Sequence, residues 1–70
     1  MVKLSSGNDV DFGRSKKIIG QLFADSKDEI TPTMQIVGLP DGYTMDFGSS
    51  VLTADGEVAF LKSDGTWNWI

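Results

Sequence analysis

The segment from Ser49 to Ile70 restricts the fold of this chain more than any other part. It contains short runs of alternating apolar and polar residues separated by Ala54-Asp55-Gly56 and by Ser63-Asp64-Gly65. Asp-Gly between two such runs is a strong local signal for a hairpin turn. The segment therefore predicts a three-stranded antiparallel meander with strands at residues 49–53, 57–62 and 66–70.

Strand alternation then assigns the side chains of this meander to faces. Val58 and Phe60 share one face of its middle strand, and Trp67 and Trp69 share one face of its last strand. Paired aromatic and β-branched side chains stabilise neighbouring strands, so we expect these four to meet. The predicted structural core is Val58, Phe60 and Trp67, with Trp69 at a partner interface; the sequence leaves open whether the tryptophans are buried or at an interface.

The size of the chain limits this core. With 70 residues the chain forms one domain, and a domain of that size buries only about 60% of the surface of its unfolded chain. There is no cysteine for a disulfide and no histidine for a zinc site or imidazole catalysis. We therefore predict a protein without cofactors or metals that is not an enzyme and that gains stability by contact with other chains.

The amino-terminal residues 1–13 read as an extended arm that precedes a single β-rich domain at 14–70. The arm is polar and contains glycine, with Val10 and Phe12 as apolar residues two positions apart that can pin it on a neighbour as an added strand. Asn8, Asp9 and Asp11 resemble the start of a calcium loop, but the required glycine and glutamate are missing downstream, so no metal is predicted.

The middle of the chain gives weaker signals. Residues 16–24 have apolar spacing that fits a helix, but Gly20 and two adjacent isoleucines favour a strand slightly, and the alternatives stay open. Ser26 and Glu29 have the spacing of a helix capping box, and Thr31 precedes a proline, so at most one short helix ends by residue 30. The fold class predicted is mainly β.

The charge of the chain argues against nucleic-acid binding. Its formal net charge is −4, whereas nucleic-acid proteins concentrate Lys and Arg on one face. No run approaches the ~20 apolar residues of a membrane helix, so we expect a soluble location without a membrane partner. No small-molecule substrate is predicted. Residues expected at a protein interface are Val10, Phe12, Arg14, Lys16, Lys17, Tyr43 and Trp69.

A family resemblance covers about the last 30 residues. The residues that carry it are Gly48-Ser49-Ser50-Val51-Leu52-Thr53-Ala54-Asp55-Gly56-Glu57-Val58-Ala59-Phe60-Leu61, Ser63-Asp64-Gly65-Thr66-Trp67 and, upstream, Leu39-Pro40-Asp41-Gly42-Tyr43. This ending resembles short structural proteins encoded among the head and tail genes of tailed bacteriophages and prophages. The resemblance implies a virion component, such as a minor capsid, decoration, head-fibre or tail-associated protein. Its implied partners are the major capsid or a tail protein and copies of itself, and its implied location is the virion, after the host cytoplasm.

Two other functions fit the residues. A small acidic protein can act as an inhibitor or modulator of a host or phage enzyme. Alternatively, Trp67, Trp69 and Tyr43 can form an aromatic platform for sugar rings in a carbohydrate-binding module.

Overall fold

The computed structural model describes residues 1–70 and is mainly β, as the sequence predicts. It contains seven strands and one turn of 3₁₀ helix at Lys27–Glu29. The strands are β1 (Val2–Asp9), β2 (Lys17–Ala24), β3 (Ile36–Val37), β4 (Thr44–Met45), β5 (Ser50–Thr53), β6 (Val58–Leu61) and β7 (Trp67–Trp69).

All strands belong to one mixed sheet. The order across it is β3-β1-β2-β5-β6-β7, and β4 pairs with the first residues of β2 beside β5. The predicted meander is confirmed: β5, β6 and β7 are antiparallel neighbours. It joins the rest of the sheet through a parallel pairing of β2 with β5, which the local sequence pattern does not indicate.

The turns of the meander follow the Asp-Gly chemistry. Gly56 and Gly65 have φ values of +89° and +87°, the left-handed region that glycine enters without steric cost. In the second turn, Asp64 accepts hydrogen bonds from the Thr66 backbone N–H at 3.0 Å and from its hydroxyl at 2.7 Å. These bonds hold the pKa of Asp64 below its usual value.

The predicted amino-terminal arm is part of the sheet. β1 is extended as expected, but it lies between β2 and β3 of the same chain, and Val2 is buried. Val10 and Phe12, the residues expected to pin an arm, follow β1 and lie in the loop that leads to β2. The free arm is therefore replaced by a hairpin of β1 and β2, with an irregularity in register between Leu4 and Ser6.

The ambiguous residues 16–24 form a strand. One face of β2 carries the buried residues Ile18, Leu22 and Ala24. The apolar spacing that resembles a helix is therefore the alternation of a strand in which Gly20 leaves one position of this face without a side chain. A Cβ atom at Gly20 would lie 2.2 Å from the Ser6 carbonyl oxygen. Glycine is needed because the backbones of β1 and β2 approach too closely for a side chain.

The core lies on the same face as Leu22. Val2, Leu22, Ala24, Val51 and Ala59 form the buried cluster. Partly buried residues pack against it: Leu4, Ile30, Met34, Ile36, Met45, Trp67 and Trp69.

The predicted core assignment in β6 is wrong for Phe60, which is 45% exposed. Trp67 and Trp69 lie opposite Leu61 and Ala59, so Val58 and Phe60 are on the other face and do not meet the tryptophans. The cause is register, because a shift of one residue moves every side chain of a strand to the opposite face. Trp67 is half-buried on the core side, whereas Val58 is half-buried on the opposite side.

The predicted capping box between Ser26 and Glu29 does not form, because the Ser26 side chain makes no capping hydrogen bond. Glu29 Oε1 instead accepts a hydrogen bond from the backbone N–H of Asp25 at 2.8 Å. The 3₁₀ turn ends before Ile30, in agreement with the proline signal. Neither this turn nor any other part of the chain forms a helix of the length and hydrophobicity needed to cross a membrane.

Candidate interaction surfaces

One face of the sheet carries a row of apolar side chains that is interrupted on β1 by Lys3; we call it the open face. Phe23, Leu52 and Val58 are aligned partners on β2, β5 and β6. Ile70 extends the row, because its backbone N–H donates to the Val58 carbonyl at 3.0 Å. On the other side Lys3 is the partner of Phe23, and Val37 is the partner of Lys3. The apolar row therefore runs from β2 to Ile70, and Lys3 separates it from Val37 at the β3 edge.

The open face is exposed over much of this row. Val37 is 54% exposed, Leu52 37% and Ile70 82%. Ile19 and Phe60, on neighbouring rows of the same face, are 40% and 45% exposed. Residues of the 25–45 segment that join the core, such as Ile30 and Met34, pack on the opposite face. Exposed apolar patches of this kind are typical of interaction sites.

The charges within the strands of the open face are positive. Alternation places Lys3 and Lys17 on it, and the remaining charged strand residue, Asp9, lies on the other side in register with Ile18. Neither lysine has a carboxylate within salt-bridge distance; the salt bridges of the molecule involve Met1, Lys27 and Lys62. The open face is thus apolar with unpaired cations in a chain of net negative charge.

A second surface is the loop of residues 10–16 between β1 and β2, which we call the knob loop. Asp9 Oδ1 accepts hydrogen bonds from the N–H groups of Asp11 at 3.2 Å and Gly13 at 2.9 Å. Asp11 accepts from the Ser15 N–H at 3.0 Å and from the Ser15 hydroxyl. The carboxylates that resemble a calcium loop therefore bind backbone N–H groups and fix the loop.

These bonds change the pKa values of the groups concerned. The Gly13 N–H, the Tyr43 hydroxyl and the Asp11 N–H hold the pKa of Asp9 below its usual value. The Ser15 hydroxyl and N–H lower the pKa of Asp11. Tyr43 donates to Asp9 Oδ2 at 3.0 Å, and this bond raises the pKa of Tyr43. The knob loop is therefore tied to the segment before β4 by a charge-assisted hydrogen bond.

The knob loop presents Phe12 entirely to solvent. Its side chain is 100% exposed, and its φ is +58°, a conformation uncommon for a bulky residue. Arg14, Lys16 and Lys17 follow it, are exposed and make no salt bridge. An aromatic ring held in a strained, fixed loop beside unpaired cations has the composition of a protein-interface anchor.

A third feature is a groove of about 270 Å³ on the core side of the sheet. Its walls come from the 31–45 segment and from β6 and β7, and seven of its 11 lining residues are hydrophobic. No charged side chain lines it. Its main apolar residues are Met34, Leu39, Tyr43, Met45, Leu61 and Trp67. A second depression of about 310 Å³, lined by Pro32, Trp67 and Trp69 among others, adjoins it along β7.

The residues predicted at an interface are distributed over these surfaces. Val10, Phe12, Arg14 and Lys16 share the knob loop, and Lys17 begins β2 next to it. Tyr43 touches the loop and lines the groove. Trp69 is half-buried against the core, with Lys27 Nζ 6.0 Å from the centroid of its ring.

Sequence reasoning missed the open face. Its members Leu52 and Ile70 were not singled out, and Phe60 was assigned to the core. The available signal was the alternation in β2, which separates Ile19 and Phe23 from the buried Ile18 and Leu22. Extending that alternation to β5 required knowing that Leu52 is the partner of Phe23.

Comparison with known proteins gives no relative for this chain. No family model, no curated protein and no solved structure matches it.

Proposed function

We propose that this chain is a structural protein of a tailed-phage virion that acts by protein–protein assembly. The observation that carries the proposal is the open face, whose apolar side chains from β2 to Ile70 are exposed or only half-buried within the chain. Burying apolar surface contributes roughly 25 cal/mol per Å². A small domain with only eight buried residues gains stability when such a face is covered by a neighbour.

The resemblance of the last 30 residues to head and tail proteins supplies the kind of neighbour. The partners in this proposal are the major capsid or a tail protein and further copies of the chain. Structural proteins of a particle are present in many copies, and their contacts need no catalytic group. Three carboxylates have lowered pKa values: Asp9, Asp11 and Asp64. They bind local backbone N–H and hydroxyl groups, and none of them lines the groove, which fits a non-enzymatic role.

The test is the composition of purified particles from the host that expresses this gene. Quantitative mass spectrometry is expected to find the protein in many copies per particle. A Leu52→Glu, Phe60→Glu variant is expected to be excluded from particles, because each substitution places a charge on the open face. Ser63→Glu, in the exposed turn between β6 and β7, is the control for adding a charge away from that face. A protein abundant in cells but absent from particles contradicts the proposal.

One observation bears on the carbohydrate alternative. Trp67 and Tyr43 line the same groove, so part of the suggested aromatic platform is assembled. Sugar recognition also needs polar groups that fix the hydroxyls; the groove offers the hydroxyls of Thr31, Tyr43 and Thr44 but no charged or amide side chain, and seven of its 11 lining residues are hydrophobic. Its lining fits an apolar occupant better than a sugar.

A further inference from the structure

We propose that two copies of this chain form a twofold dimer in which each Phe12 side chain enters the apolar groove of the other copy. The inference rests on the proposed function to the extent that it names a second copy as one assembly partner. It adds the site, which is the knob loop of one copy and the groove lined by Met34, Leu39, Met45 and Trp67 of the other.

The size and lining of the groove fit a phenyl ring. An engineered apolar cavity of about 150 Å³ in another protein holds benzene, and the groove here has a volume of about 270 Å³. Met34 and Met45 are flexible side chains that adapt to an inserted ring. Trp67 and Tyr43 offer aromatic faces and edges to it.

Phe12 is suited to be the inserted group. It is the large apolar side chain with complete exposure, so it gains the most from transfer out of water. Its loop is held by Asp9 and Asp11, so little conformational freedom is lost on binding. The positive φ of Phe12 is a local strain that an interface role accounts for.

The positions of the loop and the groove favour reciprocal exchange. Tyr43 belongs to both, because its hydroxyl bonds to Asp9 and its side chain lines the groove. A Cβ atom at Gly13, next to Phe12, would lie 3.0 Å from the same hydroxyl. The inserted side chain, Phe12, and the groove that receives it lie next to each other on one surface. A twofold axis near Tyr43 therefore lets both contacts form together and closes the assembly at two copies.

The charges near the two surfaces are complementary. Arg14 and Lys16 flank Phe12 and have no salt-bridge partner within the chain. Asp41 and Asp64 lie close in sequence to the groove residues Leu39 and Gly65 and are exposed; Asp41 has no salt-bridge partner, whereas Asp64 Oδ2 lies 4.0 Å from Lys62 Nζ of its own chain. In the dimer the cations of one copy face the carboxylates of the other, which predicts weaker association at high salt.

The test is sedimentation velocity of the full chain from micromolar to millimolar concentration. The expected result is a monomer–dimer equilibrium with no larger species. Phe12→Asn removes the ring at a position whose backbone Asn tolerates, so the monomer is expected to fold at least as well. Its dimer dissociation constant is expected to rise roughly a hundredfold or more, because both contacts are lost together.

Val10→Ala is the matched control, because it removes apolar atoms from the same loop without touching the ring, and its dimer is expected to persist. A mixed sample of isotope-labelled and unlabelled chains gives the direct readout. Intermolecular NOEs between Phe12 ring protons and the methyl groups of Met34 and Met45 are expected.

Three outcomes overturn the proposal: a monomer at every concentration, open-ended oligomers, or a dimer that Phe12→Asn leaves intact. If the surviving dimer is lost on Leu52→Glu, Phe60→Glu, the contact is the open face and the proposed function is unaffected. If the protein is absent from virions but forms a dimer that depends on Phe12, the proposed function is refuted and the dimer proposal holds.

Discussion

At the scale of single residues, Ser49 shows how one side chain completes the sheet. β4 ends and β5 begins beside β2, and the gap between them leaves the Gly20 N–H without a strand partner. The Ser49 hydroxyl oxygen accepts that N–H at 3.2 Å and donates to the Asp46 carbonyl at 2.7 Å. Ser49 is fully buried. Its hydroxyl therefore acts as a structural link, and nothing in its surroundings suggests a nucleophile.

Ser49→Ala is expected to destabilise the domain by about 1 to 2 kcal/mol, because the half-buried Gly20 N–H then has no protein acceptor. Ser50→Ala is the control: the neighbouring hydroxyl makes no such bond, and a change within about 0.5 kcal/mol is expected. Urea unfolding followed by tryptophan fluorescence measures both. Equal stability of the two variants would show that water or a backbone shift provides the Gly20 N–H with a hydrogen-bond acceptor.

Residue-scale features differ in how far the sequence predicts them. The left-handed glycines of the Asp-Gly turns were predictable, because turn chemistry is local. The need for Gly20 was not, since it arises from the Ser6 backbone on another strand. The strained φ of Phe12 was equally hidden, because it depends on the hydrogen bonds of Asp9 and Asp11 around the loop.

At the scale of elements, β6 shows where pattern reasoning ends. The sequence predicts β6 and its two turns, but it assigns the face with Phe60 to the core, whereas that face is the open face. The register with β5 sets that face by pairing Ala59 with Val51, which in turn lies opposite Leu22. A large side chain at position 60 looked like core, yet the parallel pairing of β2 with β5 assigns the interior to Ala59. That pairing joins segments far apart in the chain, and no local signal encodes it.

The knob loop is expected to loosen in acid. The folded pKa values of Asp9 and Asp11 lie below the ordinary value of 3.8. Their stabilising bonds are therefore complete above that pH and are lost as pH falls through the folded values. Amide exchange of Gly13 and Ser15, measured relative to Gly56, is expected to accelerate in this range. Gly56 is the reference because its N–H bonds to a backbone carbonyl at 3.0 Å.

Asp9→Asn is the matched control for this prediction. The amide oxygen can still accept the Gly13 N–H but does not titrate, so the exchange of Gly13 relative to Gly56 is expected to become independent of pH. A loop whose relative protection does not change between neutral and acid solution would show that its order comes from the flanking strands alone.

At the scale of the whole molecule, the two faces of the sheet differ in how far their apolar residues are buried. The core side holds five clustered buried residues and is extended by half-buried side chains around the groove. The other side exposes apolar residues of β2, β3, β5 and β6, and also Ile70 after β7. A chain of this size cannot cover both faces by itself. We therefore expect stability within one copy to depend on the core side, and the proposed assembly to use the open face and the knob loop.

This division predicts that Trp67 matters more for folding than any residue of the open face. Its side chain packs against the core cluster and forms a wall of the groove. Trp67→Ala is expected to lose about 2 to 4 kcal/mol, less than full core burial costs in larger proteins because the ring is only half-buried. Total stability for a chain of this length is about 4 to 10 kcal/mol, so the variant should be marginal.

Asn68→Ala, on the opposite face of the same strand, is the control and is expected to stay within about 0.5 kcal/mol of the parent. Urea unfolding at low protein concentration separates the effect on the monomer from any effect on association. If Trp67→Ala and Asn68→Ala are equally stable, the indole contributes to the groove but not to the core. The assignment of folding stability to the core side would then be wrong for β7, because the core side of this strand would stabilise the fold no more than its open face does.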